Sequence, residues 1–222
     1  MPGPTSVPAF AVSLALVISG CAESGSSDSP KPSADRQTKT EQTPVTVSLT
    51  TLAPEQEQQK TVAIAAKDAM FTKLSGTLMS AIEADGPAKA IDVCKAAAPA
   101  IGEQVKREFG VEIGRTSFKL RNTTNAGPDW AASFVAEKSE QPVFVELPDG
   151  SLGVLLPIML KKKCTLCHGD RETLQEDVRA ALDLHYPNDA ATGFQEGDLR
   201  GWFWVEVPAD GAVKDMEPAA SE

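Results

Sequence analysis

The amino-acid sequence predicts an α+β domain, two helices followed by an antiparallel sheet with helical insertions. Three observations predict it. Apolar residues recur at helical spacing from Glu55 to about Phe109. After Gly110 the chain changes to short alternating runs. Turn-forming residues punctuate those runs. Helices first and strands afterwards, with no internal repeat, favour α+β over a regular βαβ alternation.

The first helix is expected over Glu55–Ala84, its stripe made of Val62, Ala65, Ala66, Ala69, Met70, Leu74, Leu78 and Ile82. Gly76 interrupts it mildly, and Asp85-Gly86-Pro87 ends it. The second runs from Ala88 to about Phe109 on Ile91, Val93, Cys94, Ala97, Ile101 and Val105, with Gly110 as the stop. A strand follows within Val111–Leu120, then a short helix over Pro128–Lys138. Strands Val143–Glu146 and Leu152–Leu156 flank the turn Pro148-Asp149-Gly150. A helix around Thr173–Leu184 and a last strand, Gly201–Val207, complete the domain.

The chain's 222 residues suffice for one domain with non-domain ends. Aromatics are only 5%, so the core must be built mainly from Ala, Val, Leu and Ile. A formal net charge of -10 argues against a nucleic-acid partner, which requires a basic face.

Ala9–Ile18 is apolar, too short to span a bilayer but suited to the hydrophobic region of a signal peptide. It ends in Ile18-Ser19-Gly20-Cys21, which resembles the bacterial lipobox; small residues admit the peptidase and the Cys21 thiol takes the lipid. No Lys or Arg precedes the run, a departure from that pattern. The expected organisation is a signal at 1–20, a tether at 21–53 rich in Ser, Pro, Thr and Gln, a domain at 54–208, and an unstructured tail at 209–222. The expected location is periplasmic, tied to a membrane through Cys21. Ala22, where aspartate often marks inner-membrane retention, favours the outer membrane.

Four cysteines and two histidines are few enough to consider singly. Cys164-Thr165-Leu166-Cys167-His168 carries the CxxCH signature of covalent haem attachment. Two thiols at this spacing can each add to one vinyl group while the adjacent imidazole reaches the iron. Export agrees with this, because such attachment takes place outside the cytoplasm, and no second CxxC completes a zinc ribbon. The competing readings are a zinc site of Cys94, Cys164, Cys167 and a histidine, a redox CxxC, and a plain disulfide that would leave His168 without a role.

For a second axial ligand the candidates are Cys94, His185, Met70, Met79 and Met159. Cys94 is favoured: an unpaired thiol in an oxidising compartment is a liability unless buried or bound. The methionines at helical spacing read as core, and His185 as a surface or capping residue. Arg115 and Arg121 are candidate partners of haem propionates, whereas Lys161–Lys163 reads as solvated surface.

Four blocks occur together in order: Ala90-Ile91-Asp92-Val93-Cys94-Lys95; Gly114 to Asn122, with Arg115, Lys119 and Arg121; Cys164 to Gly169; and Asp189 to Phe194 with Gly197-Asp198-Leu199-Arg200-Gly201. Together they resemble a bacterial family of PAS-like haem c domains across about Pro54 to Pro208. Thr123, where that family tends to have proline, departs from it. The resemblance implies a PAS-like antiparallel sheet packed by helices, with one haem c ligated by His168 and by Cys94. Both axial positions would then be filled, which argues against an enzyme. Two functions remain open: low-potential electron transfer with a separate redox partner, or a redox or gas sensor acting through a separate partner.

Overall fold

The computed structural model describes residues 44–47 and 52–210. In chain order these form β1 (Val45–Val47), α1 (Pro54–Phe109), β2 (Glu112–Thr116), a 3-10 turn at Asp129–Ala131, α2 (Ala132–Glu137), β3 (Val143–Glu146) and β4 (Leu152–Met159). A second 3-10 turn at Lys162–Cys164, α3 (Thr165–His168), α4 (Glu176–His185) and β5 (Leu199–Val207) follow. The fold is α+β, as the sequence predicts. The signal segment 1–20, Cys21 and the tail beyond 210 lie outside the described residues.

The two expected helices are the arms of α1. Pro54 opens the first at a position where a missing N–H costs nothing, and Gln56 accepts the Ala53 N–H on its side-chain oxygen at 3.0 Å. Gly86 breaks the element with φ 83 and ψ 172, just before Pro87. The second arm ends where Gly110, at φ 63, returns its N–H to the Lys106 carbonyl.

The sheet is antiparallel, in the order β1-β3-β4-β5-β2. Alternation along its central strands sorts side chains between two faces. Leu152, Val154 and Leu156 of β4, with Phe203, Val205 and Val207 of β5, meet Val62, Ala63, Ala66, Met70 and Val105 of α1. Leu155 and Trp202 point to the opposite face, where Ala131, Phe118, Phe134 and Val135 cover them. Trp202 is fully buried, and its indole N–H donates to the Ser139 carbonyl at 2.8 Å. Met70 belongs to the core, as its helical spacing predicts.

Four strands differ from expectation. β4 continues to Met159 and β5 begins at Leu199, because these ends pair with each other across an irregularity between Ile158 and Met159. β2 stops at Thr116, leaving 117–120 free to turn toward the CxxCH segment. β1 lies inside the stretch read as a tether: Val45, Thr46 and Val47 pair with Glu146, Val145 and Phe144. Composition hides this strand, since Val45 stays 62% exposed and the ladder rather than burial holds it.

Candidate functional site

The CxxCH segment leaves the end of β4 and is strapped to the loop before β5. Leu160 donates to the Asp198 carbonyl at 2.9 Å, and Gly197 donates back to Leu160 at 2.8 Å. Further on, Phe194 donates to the His168 carbonyl at 3.0 Å and Gly193 to the Gly169 carbonyl at 2.8 Å. Gly169 closes the turn after α3; a Cβ there would stand 2.6 Å from the Thr165 carbonyl oxygen. Lys161, Lys162 and Lys163 are exposed, as their clustering predicts.

His168 is held by its ring. Its Nδ1 lies 2.7 Å from the Ala191 carbonyl, an arrangement that protonates Nδ1 and leaves the Nε2 lone pair available. Phe194 packs edge-on, ring centroids 6.3 Å apart. Burial pushes the His168 pKa well below its ordinary value, and the positive charges of Arg121, Arg200 and Arg115 push the same way against the Ala191 hydrogen bond. A neutral imidazole with one free nitrogen is the form that ligates a metal.

The two motif thiols diverge. Cys164 packs against Leu160, Ala191 and Phe194. Cys167 packs against Ile91 of α1 and Leu174, Val178 and Leu182 around α4. Cys94, on the second arm of α1, is half-buried and within electrostatic reach of Cys167, Arg115 and Arg121. Burial pushes its thiol pKa up, while the two guanidinium groups pull it down.

The geometry bears on the readings of the cysteines. Cys94, Cys164 and Cys167 are free thiols. Among the described residues no three His, Cys, Asp or Glu side chains converge on a point as a bare metal ion would need. Burial raises the Cys167 pKa, the reverse of what a reactive redox dithiol requires. Thiols splayed toward separate apolar clusters suit a flat, extended partner rather than a point charge.

Around them lies an excess of half-buried positive charge. Arg115 is half-buried on β2, and the groups beside it that favour its charge are the thiol of Cys94 and the phenol of Tyr186, both neutral near pH 7 in their usual forms. Arg200 donates through Nη1 to the Ser117 hydroxyl at 2.8 Å and the Lys119 carbonyl at 3.0 Å. Its Nε is buried without a partner. Burial, then Arg121 and Arg115, pull the Arg200 pKa down to about 10. Arg121 is engaged differently: Nε meets Asp189 at 3.2 Å, and Nη2 donates to the carbonyls of Cys167 and Ala191. Two guanidinium groups therefore retain capacity for an anion at this site, Arg115 and Arg200.

Arg200 and Phe194 were not singled out among the site residues by sequence reading, although both stand in the fourth block. The only signal for Arg200 was its place between Leu199 and Gly201. His185, considered as a ligand, instead pairs through Nε2 with the Asp92 carboxylate and fastens α4 to α1. Met159 is 43% exposed at the end of β4.

Comparison with known proteins agrees with this picture. The Tll0287-like family model matches residues 33–208. The crystal structure of the cyanobacterial haem protein Tll0287 superposes with a TM-score of 0.50 at 23% identity, covering 71% of this chain and 97% of that one. No curated protein matches. With most of its length matched by the family model, from upstream of β1 to the end of β5, the chain belongs to the Tll0287-like family.

Proposed function

We propose that this protein holds one covalently attached haem c and transfers electrons at low potential. The observation that carries the reading is the surplus of half-buried guanidinium beside the CxxCH segment, with Arg115 lacking a formal counter-charge and the buried Arg200 Nε unpartnered. A haem brings two propionates of the missing sign. Cys164 and Cys167 would supply the thioether sulfurs, His168 Nε2 and the Cys94 sulfur the axial ligands, and Arg115 and Arg200 the propionate contacts. When bound, the group supplies a one-electron ferric–ferrous couple.

The chain's residues set the character of that couple. A thiolate from Cys94 together with the His168 imidazole would donate electron density and favour ferric iron, so the potential would fall below that of a His/Met cytochrome. Ala191 fixes the imidazole, and Phe194 with the Cys164 cluster keeps water from that side. The lipidated Cys21 would hold the domain at a periplasmic membrane surface, where a separate redox partner meets it. No substrate position is needed, and no enzymatic turnover is proposed.

A second reading is a redox or gas sensor acting through a separate partner. It draws on the place of Cys94, half-buried on the second arm of α1 and apart from the CxxCH segment, where the sulfur can leave iron without displacing His168. Mass spectrometry of the mature polypeptide tests the first claim: the mass increases by that of one haem, and absence of added mass refutes it. Carbon monoxide added to the reduced protein separates the two roles. An unchanged spectrum favours electron transfer, and displacement of Cys94 favours sensing.

A further inference from the structure

Arg121 is the most connected side chain of the site. Its Nε meets Asp189 Oδ2 at 3.2 Å, and the Asp189 carboxylate is almost wholly buried. The other oxygen, Oδ1, accepts the Ala191 N–H at 2.8 Å. Nη2 donates to the Ala191 carbonyl at 3.3 Å and to the Cys167 carbonyl. That same Ala191 oxygen lies 2.7 Å from His168 Nδ1. A closed circuit therefore runs from Arg121 through Asp189, Ala191 and His168 to Cys167. A buried ion pair that breaks even energetically is often retained because it fixes a geometry, and here the geometry fixed is that of one carbonyl.

We propose that Arg121 and Asp189 are positioning residues which aim the Ala191 carbonyl at His168 Nδ1 and limit how strongly it accepts. Asp189 grips the Ala191 N–H while Arg121 grips its carbonyl oxygen, so the two peptide groups flanking the Ala191 Cα are each held and the carbonyl cannot rotate away from the imidazole. The carbonyl oxygen then divides its lone pairs between a cation and Nδ1–H. A hydrogen bond that draws the Nδ1 proton away makes Nε2 a stronger donor; a carbonyl already shared with Arg121 draws it less. Arg121 thereby keeps the imidazole a moderate ligand, and its charge opposes the ferric preference that the thiolate sets.

The inference rests on the proposed haem, so the test carries one readout that depends on haem and one that does not. In the full-length protein, Arg121→Ala and Asp189→Asn should retain covalent haem by mass. The midpoint of Arg121→Ala should fall enough to change the reduced-to-oxidised ratio about tenfold, or about 59 mV for one electron. Asp189→Asn, which removes the anion that neutralises Arg121 but keeps an acceptor for the Ala191 N–H, should shift the midpoint the other way, upward, by less. Arg121→Lys keeps the charge but not the second arm, and should lie between Arg121→Ala and wild type. Independently of haem, the nitrogen-15 spectrum of His168 in the haem-free full-length chain should show one fixed Nδ1–H tautomer in wild type and a mixture in Arg121→Ala. Haem-free wild type would refute the proposed function and leave the imaging of this tautomer to decide the present inference. An unchanged His168 spectrum in Arg121→Ala, or a wild-type midpoint in haem-loaded Arg121→Ala, overturns it. If Arg121→Ala does not fold, Arg121→Lys decides on the same two readouts.

Discussion

Replacing Gly201 by alanine probes how tightly the site depends on the sheet. Gly201 has φ 154, and a Cβ built on it would stand 2.3 Å from the Thr116 carbonyl oxygen and 3.0 Å from Ser117 Cβ. The oxygen is backbone and cannot swing aside, so β2 and β5 must separate by about 1 Å to restore ordinary contact. At the same point the Ser117 hydroxyl donates to the Arg200 carbonyl at 2.7 Å and accepts from Arg200 Nη1 at 2.8 Å. Overpacking costs about 1–3 kcal/mol, and weakening these two bonds adds about 1 kcal/mol. We expect Gly201→Ala to destabilise the fold by about 3 kcal/mol. With a urea dependence of about 2 kcal/mol per molar, the unfolding midpoint moves down by about 1.5 M. Equilibrium urea unfolding followed by tryptophan fluorescence reads this directly. A midpoint within about 0.3 M of wild type, at unchanged slope, would refute the claim that β2 and β5 are in rigid contact here.

Other expectations follow from the same coordinates. Gly76 lies within the first arm with nothing within 4 Å of a built Cβ, so Gly76→Ala should stabilise the protein by about 0.5–1 kcal/mol, read as a higher urea midpoint. Cys94→Ala should keep the thioether-bound haem but replace the low-spin optical and spin-resonance spectra by high-spin ones, with a more positive midpoint; an unchanged low-spin spectrum excludes Cys94 as the ligand. In the haem-free chain, folding holds His168 neutral well below its ordinary pKa of 6.5, whereas the unfolded chain takes up the proton there. The unfolded state thus binds more protons below pH 6.5, so stability declines as pH falls from that value, by at most about 1.4 kcal/mol per pH unit. Urea titrations between pH 7 and 5 should show this slope in wild type and a shallower one in His168→Gln.

The helices and the central strands were legible because they follow from periodicity and punctuation. The stripe of Val62, Ala66 and Met70 does face the sheet, and Gly86 and Gly110 end the two arms with the positive φ that glycine tolerates. The hairpin at Pro148-Asp149-Gly150 was equally plain, with Asp149 accepting the Ser151 amide at 3.0 Å. β1 was not legible, since a strand held by its ladder at a sheet edge leaves no burial pattern. In the site, the motif residues announced themselves by chemistry and spacing. The distinction between Arg115, Arg121 and Arg200 did not. Which guanidinium is satisfied by the protein depends on loop carbonyls from Cys167 and Ala191, and no local pattern in the chain encodes their direction. His185 likewise resembled a free imidazole until the fold put Asp92 beside it.

The division of apolar packing into separate clusters has a mechanical corollary. The imidazole meets the Phe194 ring edge-on at the sheet end, whereas Ile91, one turn before Cys94, and Cys167, next to His168, rest on the small group around α4. A force applied to α4 therefore reaches the sulfur-bearing arm through Ile91 and the CxxCH segment through Cys167. Any partner that leans on α4 has leverage over both sides of the site at once.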